Sequence, residues 1–278
     1  MERQGNLNLP DYERVITTMK EQYGDVSVTF RGDYVIEVEI KRAPNNFFDQ
    51  DLIRDLADCF IDADNSSKVR AIVLCSDGKH FCAGNNFNSS TANADREIGT
   101  RNPLYVEAVR LFHSQTPVIA AVQGAAIGGG LGLAVMADFR IVCSSTRMAA
   151  NFVKLGFTPG FGLTHTLPRL IGNQKANLLF LTGRRIDGKT AYDWGLGDIF
   201  TENEKVRSTA LELAAEIAEN APLAVVSLRN QIRSGLAEAV QRATDIEGNA
   251  QQTLQRTNDH QEGIRAVAER RKGNFDGT

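Results

Sequence analysis

Two stretches of this sequence put bare backbone where a reacting carbonyl could meet it. The first runs Pro117-Val-Ile-Ala-Ala-Val-Gln-Gly-Ala-Ala-Ile-Gly-Gly-Gly-Leu-Gly-Leu-Ala-Val-Met-Ala-Asp138, an apolar strand, a turn, the glycines Gly128 to Gly130, then an apolar helix. The first N–H groups of a helix lack intrahelical acceptors and sit at the positive end of its dipole. Glycine there allows close approach, so negative charge developing on a carbonyl oxygen is stabilised. The second stretch, Ala71-Ile-Val-Leu-Cys-Ser-Asp-Gly-Lys-His-Phe-Cys-Ala-Gly-Asn-Asn-Phe87, also leads a buried strand into a loop of small residues. A glycine triplet alone is weak evidence, since a helix packed tightly on a sheet explains it more simply. Two such strand-to-loop transitions can together supply the pair of amides that an oxyanion hole requires. A nucleotide cradle is set aside, because the run lacks both the Lys-Ser/Thr pair of a P-loop and the acidic ribose ligand of a dinucleotide fold.

Both segments need a scaffold, and the apolar spacing outlines one. Val26 to Phe30 and Asp33 to Ile40 alternate apolar and polar residues around Arg31-Gly32, which predicts a β-hairpin. Helical spacing follows from Phe48 to Ala63, through Leu52, Ile53, Leu56, Cys59 and Phe60. Ala71 to Leu74, Val118 to Val122 and Phe139 to Cys143 are short continuous apolar runs suited to buried strands, so strands and helices alternate as in a βαβ sheet. A helix is predicted over Pro103 to Ser114. From Asp187 onward the pattern is almost wholly helical: Val206 to Ile217, Leu223 to Ile232 after Pro222, Leu236 to about Leu254 after Gly235, and Gly263 to Arg271. Ser89 to Asn102 has no apolar period and is predicted to be a mobile or substrate-covering loop. This divides the chain into an arm (1–24), a core (25–205) and a helical C-terminal region (206–278).

Composition sets outer limits. With 278 residues, 42% hydrophobic and 23% charged, the chain can bury a sizeable core. A net charge of -3, with the 31 Lys and Arg spread along the chain, argues against a nucleic-acid partner. The N-terminus lacks the apolar segment of a secretory signal, and no stretch is apolar enough to span a bilayer. Cys59, Cys75, Cys82 and Cys143 have no paired metal-ligand spacing and read as reduced, packed thiols. The expectation is a soluble cytoplasmic protein with no metal, nucleic-acid or membrane partner.

Several motifs resemble the crotonase (enoyl-CoA hydratase/isomerase) superfamily over nearly the whole chain, from Val26 to Phe275. They are Phe81-Cys82-Ala83-Gly84-Asn85, the Pro117 to Gly130 run, Leu155-Gly156 leading to Pro159-Gly160, Leu167-Pro168-Arg169-Leu170-Ile171-Gly172, and Leu181-Thr182-Gly183-Arg184. The resemblance implies an α/β fold: a crotonase-like ββα superhelix with two roughly perpendicular sheets and a helical C-terminal trimerisation region. It implies an acyl-CoA thioester as partner, no tightly bound cofactor beyond the coenzyme A of the substrate, and a homo-oligomer, either a trimer or a dimer of trimers. The backbone N–H groups of Asn85 and Gly129 would form the oxyanion hole, with an enolate as the shared intermediate. Implied substrate contacts are Arg42, Ala43, Phe81, Ala83, Asn86 and Phe87, with Gly128, Phe152 and Pro159 near the acyl group. Arg42, or Arg271 and Lys272 of a neighbouring subunit, would meet the CoA phosphates.

The chain departs from the family pattern at its acids. Hydratases that it resembles carry one glutamate two residues after the glycine triplet and another just before the next Leu-Gly; here these are Gly132 and Phe152. Neither can perform the acid–base work of adding water. The position after Pro159, an acid in other branches, is Gly160, and the nucleophilic aspartate of the aromatic dehalogenases is missing. Tyr105 and His165 are therefore the candidate catalytic side chains, with Asp95, Glu97 and Glu107 on or near the loop and a substrate-derived or exogenous base as alternatives. His80, His113 and His260 read as surface or packing residues. The resemblance then implies a lyase or isomerase working through an enolate. A CoA-thioester hydrolase, a decarboxylase and a catalytically silent acyl-CoA binder are the alternatives.

Overall fold

The computed structural model describes residues 19–86 and 99–278. Most of the arm, Phe87, Asp95, Glu97 and most of the Ser89 to Asn102 loop lie outside those residues.

The larger sheet has the strand order β1-β2-β3-β4-β5-β7-β10: β1 (Gln22–Tyr23), β2 (Val26–Gly32), β3 (Val35–Ile40), β4 (Ala71–Ser76), β5 (Val118–Val122), β7 (Phe139–Cys143) and β10 (Ile199–Thr201). Its first three strands pair antiparallel and the rest parallel. A second sheet joins β6 (Ala125–Ile127), β8 (Arg147–Ala149) and β9 (Arg185–Asp187). The two-sheet α/β architecture follows the expected one. Helices alternate with the strands: α1 (Gln50–Asp64), α2 (Pro103–His113), α3 (Gly129–Met136), α4 (Leu163–Thr182, interrupted at Gly172) and α5 (Gly188–Asp193). Four more close the chain: α6 (Val206–Ala218), α7 (Pro222–Ile232), α8 (Leu236–Leu254) and α9 (Asn258–Ala268).

Three boundaries differ from the sequence reading. The hairpin turns at Asp33-Tyr34, not at Arg31-Gly32; both turn residues have positive φ (48° and 62°), and the register slips between Phe30 and Gly32. The type I′ turn matches strand twist, and the bulge absorbs Arg31. Second, α1 begins two residues later than the apolar period suggests. Asp49 caps it, accepting the Leu52 N–H at 2.9 Å, while Phe48 is extended and pairs with Asn85. Third, α9 begins at Asn258 under the Thr257 cap, five residues before Gly263.

The period-2 alternation of β4 and β5 sorts the core into two layers. Ile72, Leu74, Val118, Ala120 and Val122 face α1 to α4, while Ala71, Val73, Ile119 and Ala121 face the apolar stripe Val206, Ala210, Ala214 and Ala218 of α6. The C-terminal helices thus fold back on the same core, with α8 between α2 and α4, and α9 against the 3-10 turn Phe152–Leu155. Asp138 anchors α7, accepting from Val118 N at 2.8 Å, Arg229 Nε at 2.9 Å and Arg233 Nη1 at 3.1 Å. Burial lowers the Arg233 guanidinium to about 10, against the opposing pull of Asp138. All four cysteines are free and buried. Among the described residues no helix is long and apolar enough to cross a membrane, and no group of three or more His, Cys, Asp or Glu could hold a metal ion.

Candidate functional site

The loop after β4 doubles back beside β6. Cys82 N–H donates to Ala125 O at 2.8 Å and Ile127 N–H to Cys82 O at 3.1 Å, a parallel bridge between Cys82 and Ala126. The two glycine-rich segments leave this bridge together, one toward Gly84-Asn85 and the other toward Gly128-Gly129. Their closeness excludes side chains: a β-carbon on Gly84, whose φ is +92°, would lie 2.8 Å from Ile127 O.

Two amides emerge from this arrangement. Phe48 N–H donates to Gly84 O at 3.1 Å within the parallel bridge of Phe48 to Asn85. In a parallel bridge one residue bonds to both neighbours of its partner, which leaves the Asn85 N–H outside the ladder. On the other segment, Gly128 N–H is taken by Ala149 O at 2.8 Å, while Gly128 O accepts from Leu131 and Gly132 at 3.0 and 3.2 Å. Helix α3 therefore starts at Gly129, whose N–H belongs to the first turn and has no intrahelical acceptor. Phe48 links the halves, because a β-carbon on Gly129 would stand 2.1 Å from its Cζ.

Asn85 and Gly129 line one cleft that holds about 690 Å³ of empty space, open solvent included. Its apolar walls are Phe48, Leu104, Ile127, Phe152, Leu155, Phe157 and Phe161; its polar groups include the amides of Asn85, Asn102, Asn151, Gln251 and Gln255. Tyr105 is the one ionisable side chain among the described lining residues. The aromatic rings interlock edge to face, with Phe48 to Phe161 at 6.2 Å and Phe152 to Phe157 at 5.7 Å between centroids. A β-carbon on Gly132 would lie 2.6 Å from Phe161 Cβ, so the Phe161 side chain fills the space beside that glycine.

Helix α2, capped by Asn102 and opened by Pro103, carries Tyr105 into the cleft. The Tyr105 hydroxyl donates to Gln251 Oε1 at 2.8 Å and stands 1.8 Å from where a Gly160 β-carbon would be. Gln251 Nε2 donates to Thr158 O at 2.9 Å and to Pro159 O at 3.0 Å. One turn earlier on α8, Glu247 accepts from Gly162 N at 2.8 Å, Thr164 N at 2.9 Å and Thr164 Oγ1 at 2.6 Å. Burial pushes its carboxyl up, against those hydrogen bonds. The loop of residues 158–164 is thus held from α8, including Phe161 at a φ of +64°.

The structure brings Asn85, Ala83, Gly128, Gly129, Tyr105 and Phe152 into one cleft and leaves other expected residues outside it. His165 is not among the cleft's lining residues. It lies on the first turn of α4, where burial and the charges of Arg169 and Arg242 lower its pKa, and its Nε2 is buried without a hydrogen-bond partner among the described residues. Phe81 is fully buried in the core. Arg42 pairs with Asp25 at 2.7 Å and Asp49 at 2.8 Å, so its charge is already opposed from two sides. Ala43 packs near Gly78, while the carbonyl of Pro159 is taken by Gln251. Asn86 is half-buried. Arg271 pairs with Glu262 and Glu269 of its own chain, and Lys272 is exposed near the C-terminus. Glu107 pairs with Arg110. His260 is buried, with Nδ1 2.6 Å from Leu155 O and its ring against Phe157, a packing role at the back of the cleft wall.

Sequence reasoning missed Gln251, Glu247, Phe48 and Phe161. The available signal was in α8, whose buried stripe Ala237, Val240, Thr244, Glu247, Gln251 keeps the 3-4-3-4 spacing of a core face while its residue types turn polar. A polar residue at a core position needs a partner.

Comparison with known proteins bears on the chemistry. A model of the family described as Enoyl-CoA hydratase/isomerase matches residues 31–278. The chain is 32% identical over 249 residues to a probable enoyl-CoA hydratase of Bacillus subtilis (strain 168), covering 88% of this chain and 96% of the relative. It is 29% identical over 243 residues to the 1,2-epoxyphenylacetyl-CoA isomerase of Escherichia coli (strain K12), covering 84% and 90%. The crystal structure of an enoyl-CoA hydratase/isomerase from Pseudoalteromonas atlantica T6c superposes with a TM-score of 0.82 at 26% identity, over 91% of this chain and all of that one.

Proposed function

The chain belongs to the enoyl-CoA hydratase/isomerase family, and from that premise we propose that it is an isomerase or lyase that forms a thioester enolate without the glutamate pair used for hydration. Acyl-CoA thioesters are the substrates that family membership supports. The observation that carries the reading is the cleft itself, which Asn85 and Gly129 line together with no carboxylate among its described residues; their N–H groups, outside the ladder and the helix bonds, are proposed as its two donors. With the thioester oxygen between the two N–H groups, loss of an α-proton moves the C–H electron pair into a C=C bond, and the charge settles on oxygen. Return of the proton to a different carbon gives an isomer. Water addition needs carboxylates to hold and activate the water. Here Phe161 fills the space beside Gly132, and Phe152 is apolar.

A basic group on the substrate is proposed to take the α-proton, and Tyr105 to be the proton carrier: its hydroxyl turns from Gln251 Oε1 to give its proton to the new carbon, and the substrate group then returns the α-proton to the phenolate oxygen. Tyr105→Phe should lower kcat by roughly 100-fold, the usual scale for losing a general acid or base. Turnover unchanged in steady-state kinetics would remove Tyr105 from the mechanism. The aromatic walls favour a flat, apolar or aromatic acyl group, in keeping with the phenylacetyl relative. No cationic side chain is among the described lining residues, which disfavours acyl groups that end in a carboxylate and so a decarboxylase. The CoA portion is proposed to pass Ala83 and the loop at Arg42 and Ala43, with the exposed Lys272 of a neighbouring copy near its phosphates.

The test is purified protein with crotonyl-, dienoyl-, aromatic enoyl-, malonyl- and β-keto-CoA esters in deuterated solvent, followed by mass spectrometry. Deuterium incorporation or isomerisation without water addition is expected; efficient hydration contradicts the proposal, and tight binding with no turnover identifies a silent acyl-CoA binder instead. The active form is proposed to be a homotrimer or a dimer of trimers, because Leu223, Leu228 and Ile232 of α7 and Ile246 of α8 are exposed. Light scattering should give three or six copies, and a monomer would contradict this.

A further inference from the structure

Gln251 is 3% exposed, on a helix far in sequence from the glycine-rich segments, and both its amide hydrogens and its oxygen are engaged inside the cleft wall. Its Nε2 carries two hydrogens, and two carbonyls receive them: Thr158 O at 2.9 Å and Pro159 O at 3.0 Å. That occupancy decides which way the amide faces. Its Oε1 points to Tyr105, and because an amide oxygen only accepts, the Tyr105 hydroxyl is the donor across 2.8 Å. The tyrosine proton is therefore aimed at α8, while its oxygen is set beside Gly160, at the place a side chain there would occupy. Residues 105, 158–160 and 251 come from α2, a loop and α8, so one buried amide joins three separate parts of the chain.

We infer that Gln251 is a positioning residue for the proposed reaction: it fixes the place of the Tyr105 hydroxyl, holds its proton until the substrate replaces Gln251 as acceptor, and ties that hydroxyl to the loop bearing Gly160. This rests on the role proposed for Tyr105. The neighbouring Gln252 adds a second tie, accepting from Gly99 N at 3.1 Å and donating to Thr100 O at 3.2 Å just ahead of α2. Glu247, one turn earlier on α8, is taken up by the 162–164 segment, whose Gly162 and Thr164 N–H groups donate to it.

The test compares Gln251→Leu, Gln251→Glu, Tyr105→Phe and the Gln251→Leu/Tyr105→Phe double variant, using enolate-dependent deuterium exchange of an aromatic acyl-CoA and thermal melting as a fold control. Gln251→Leu should lower kcat by about 100-fold, the effect of misplacing a reacting group by an ångström. Its KM should stay within about threefold, because binding is not what the contact serves. The double variant should be no slower than Tyr105→Phe, since both changes remove one unit. Gln251→Glu discriminates further. Protonated, it still accepts from Tyr105 and donates to one carbonyl; ionised, it faces two carbonyl oxygens. Its kcat should fall as pH rises through the value of this buried carboxyl, while Gln251→Leu stays uniformly low.

Wild-type kcat in a folded Gln251→Leu protein overturns the inference, as do additive losses in the double variant or a Gln251→Glu profile parallel to wild type. A fully active Tyr105→Phe overturns the role of Tyr105 and this inference with it. A defective Tyr105→Phe with additive losses overturns only the positioning role. Should Gln251→Leu melt far below wild type, the pH profile of the better-tolerated Gln251→Glu decides.

Discussion

Gly129→Ala is expected to slow turnover of an acyl-CoA by roughly 100- to 1,000-fold, the loss measured when one oxyanion donor is removed. The added methyl would stand 2.1 Å from Cζ and 2.3 Å from Cε1 of Phe48, so ring and helix start must separate. Phe48 also holds the other amide, through its bond to Gly84 O beside Asn85. One methyl group therefore disturbs both donors, although the substituted residue has no side chain to lose. Alanine is otherwise well suited to the first turn of a helix, so the fold should survive. Steady-state kinetics with a melting curve checks this; kcat within about threefold of wild type in a folded variant would contradict the placing of Phe48 and the Gly129 amide as one tight unit of the oxyanion hole.

Placing glutamates at positions 132 and 152 should not create hydration. In Gly132→Glu the first side-chain carbon alone would meet Phe161 Cβ, Cγ and Cδ1 at 2.6 to 2.8 Å, inside a helix that is buried along its whole length. Overpacking of this kind costs about 1–3 kcal/mol. A carboxylate placed there unpaired adds its own desolvation cost, and the Phe161 ring cannot swing away without moving the 162–164 segment held by Glu247. The Gly132→Glu/Phe152→Glu double variant should melt well below wild type and add no water to crotonyl-CoA. Gain of hydration without loss of stability would show that the cleft is a hydratase site lacking only its acids.

Much of this architecture was legible because burial on both faces writes plain apolar runs. Ala71 to Leu74, Val118 to Val122 and Phe139 to Cys143 all became strands of one sheet, and the runs after the first two are joined by the bridge of Cys82 to Ala126. Phe48 was misread as helical because its apolar character fits the α1 period, whereas a long-range bridge to Asn85 decides its conformation. His165 follows the Pro159 to Gly162 loop in sequence, but α4 starts at Leu163 and turns it toward Arg169 and Arg242. Gln251 was invisible for a different reason. Its partners lie 146, 93 and 92 residues away, and no local period records a contact of that range. Local patterns specify where the chain is helical or extended; the polar residues that close a cleft are chosen by tertiary neighbours.

The most direct measurement is mass-spectrometric exchange of the α-protons of phenylacetyl-CoA in deuterated water, run beside a hydration assay on crotonyl-CoA with wild-type protein and Gly129→Ala. Exchange by the wild type that is lost in Gly129→Ala, with no water added to crotonyl-CoA, is the predicted result. Rapid hydration by wild-type protein without α-proton exchange would contradict an enolate-forming site that works without the glutamate pair.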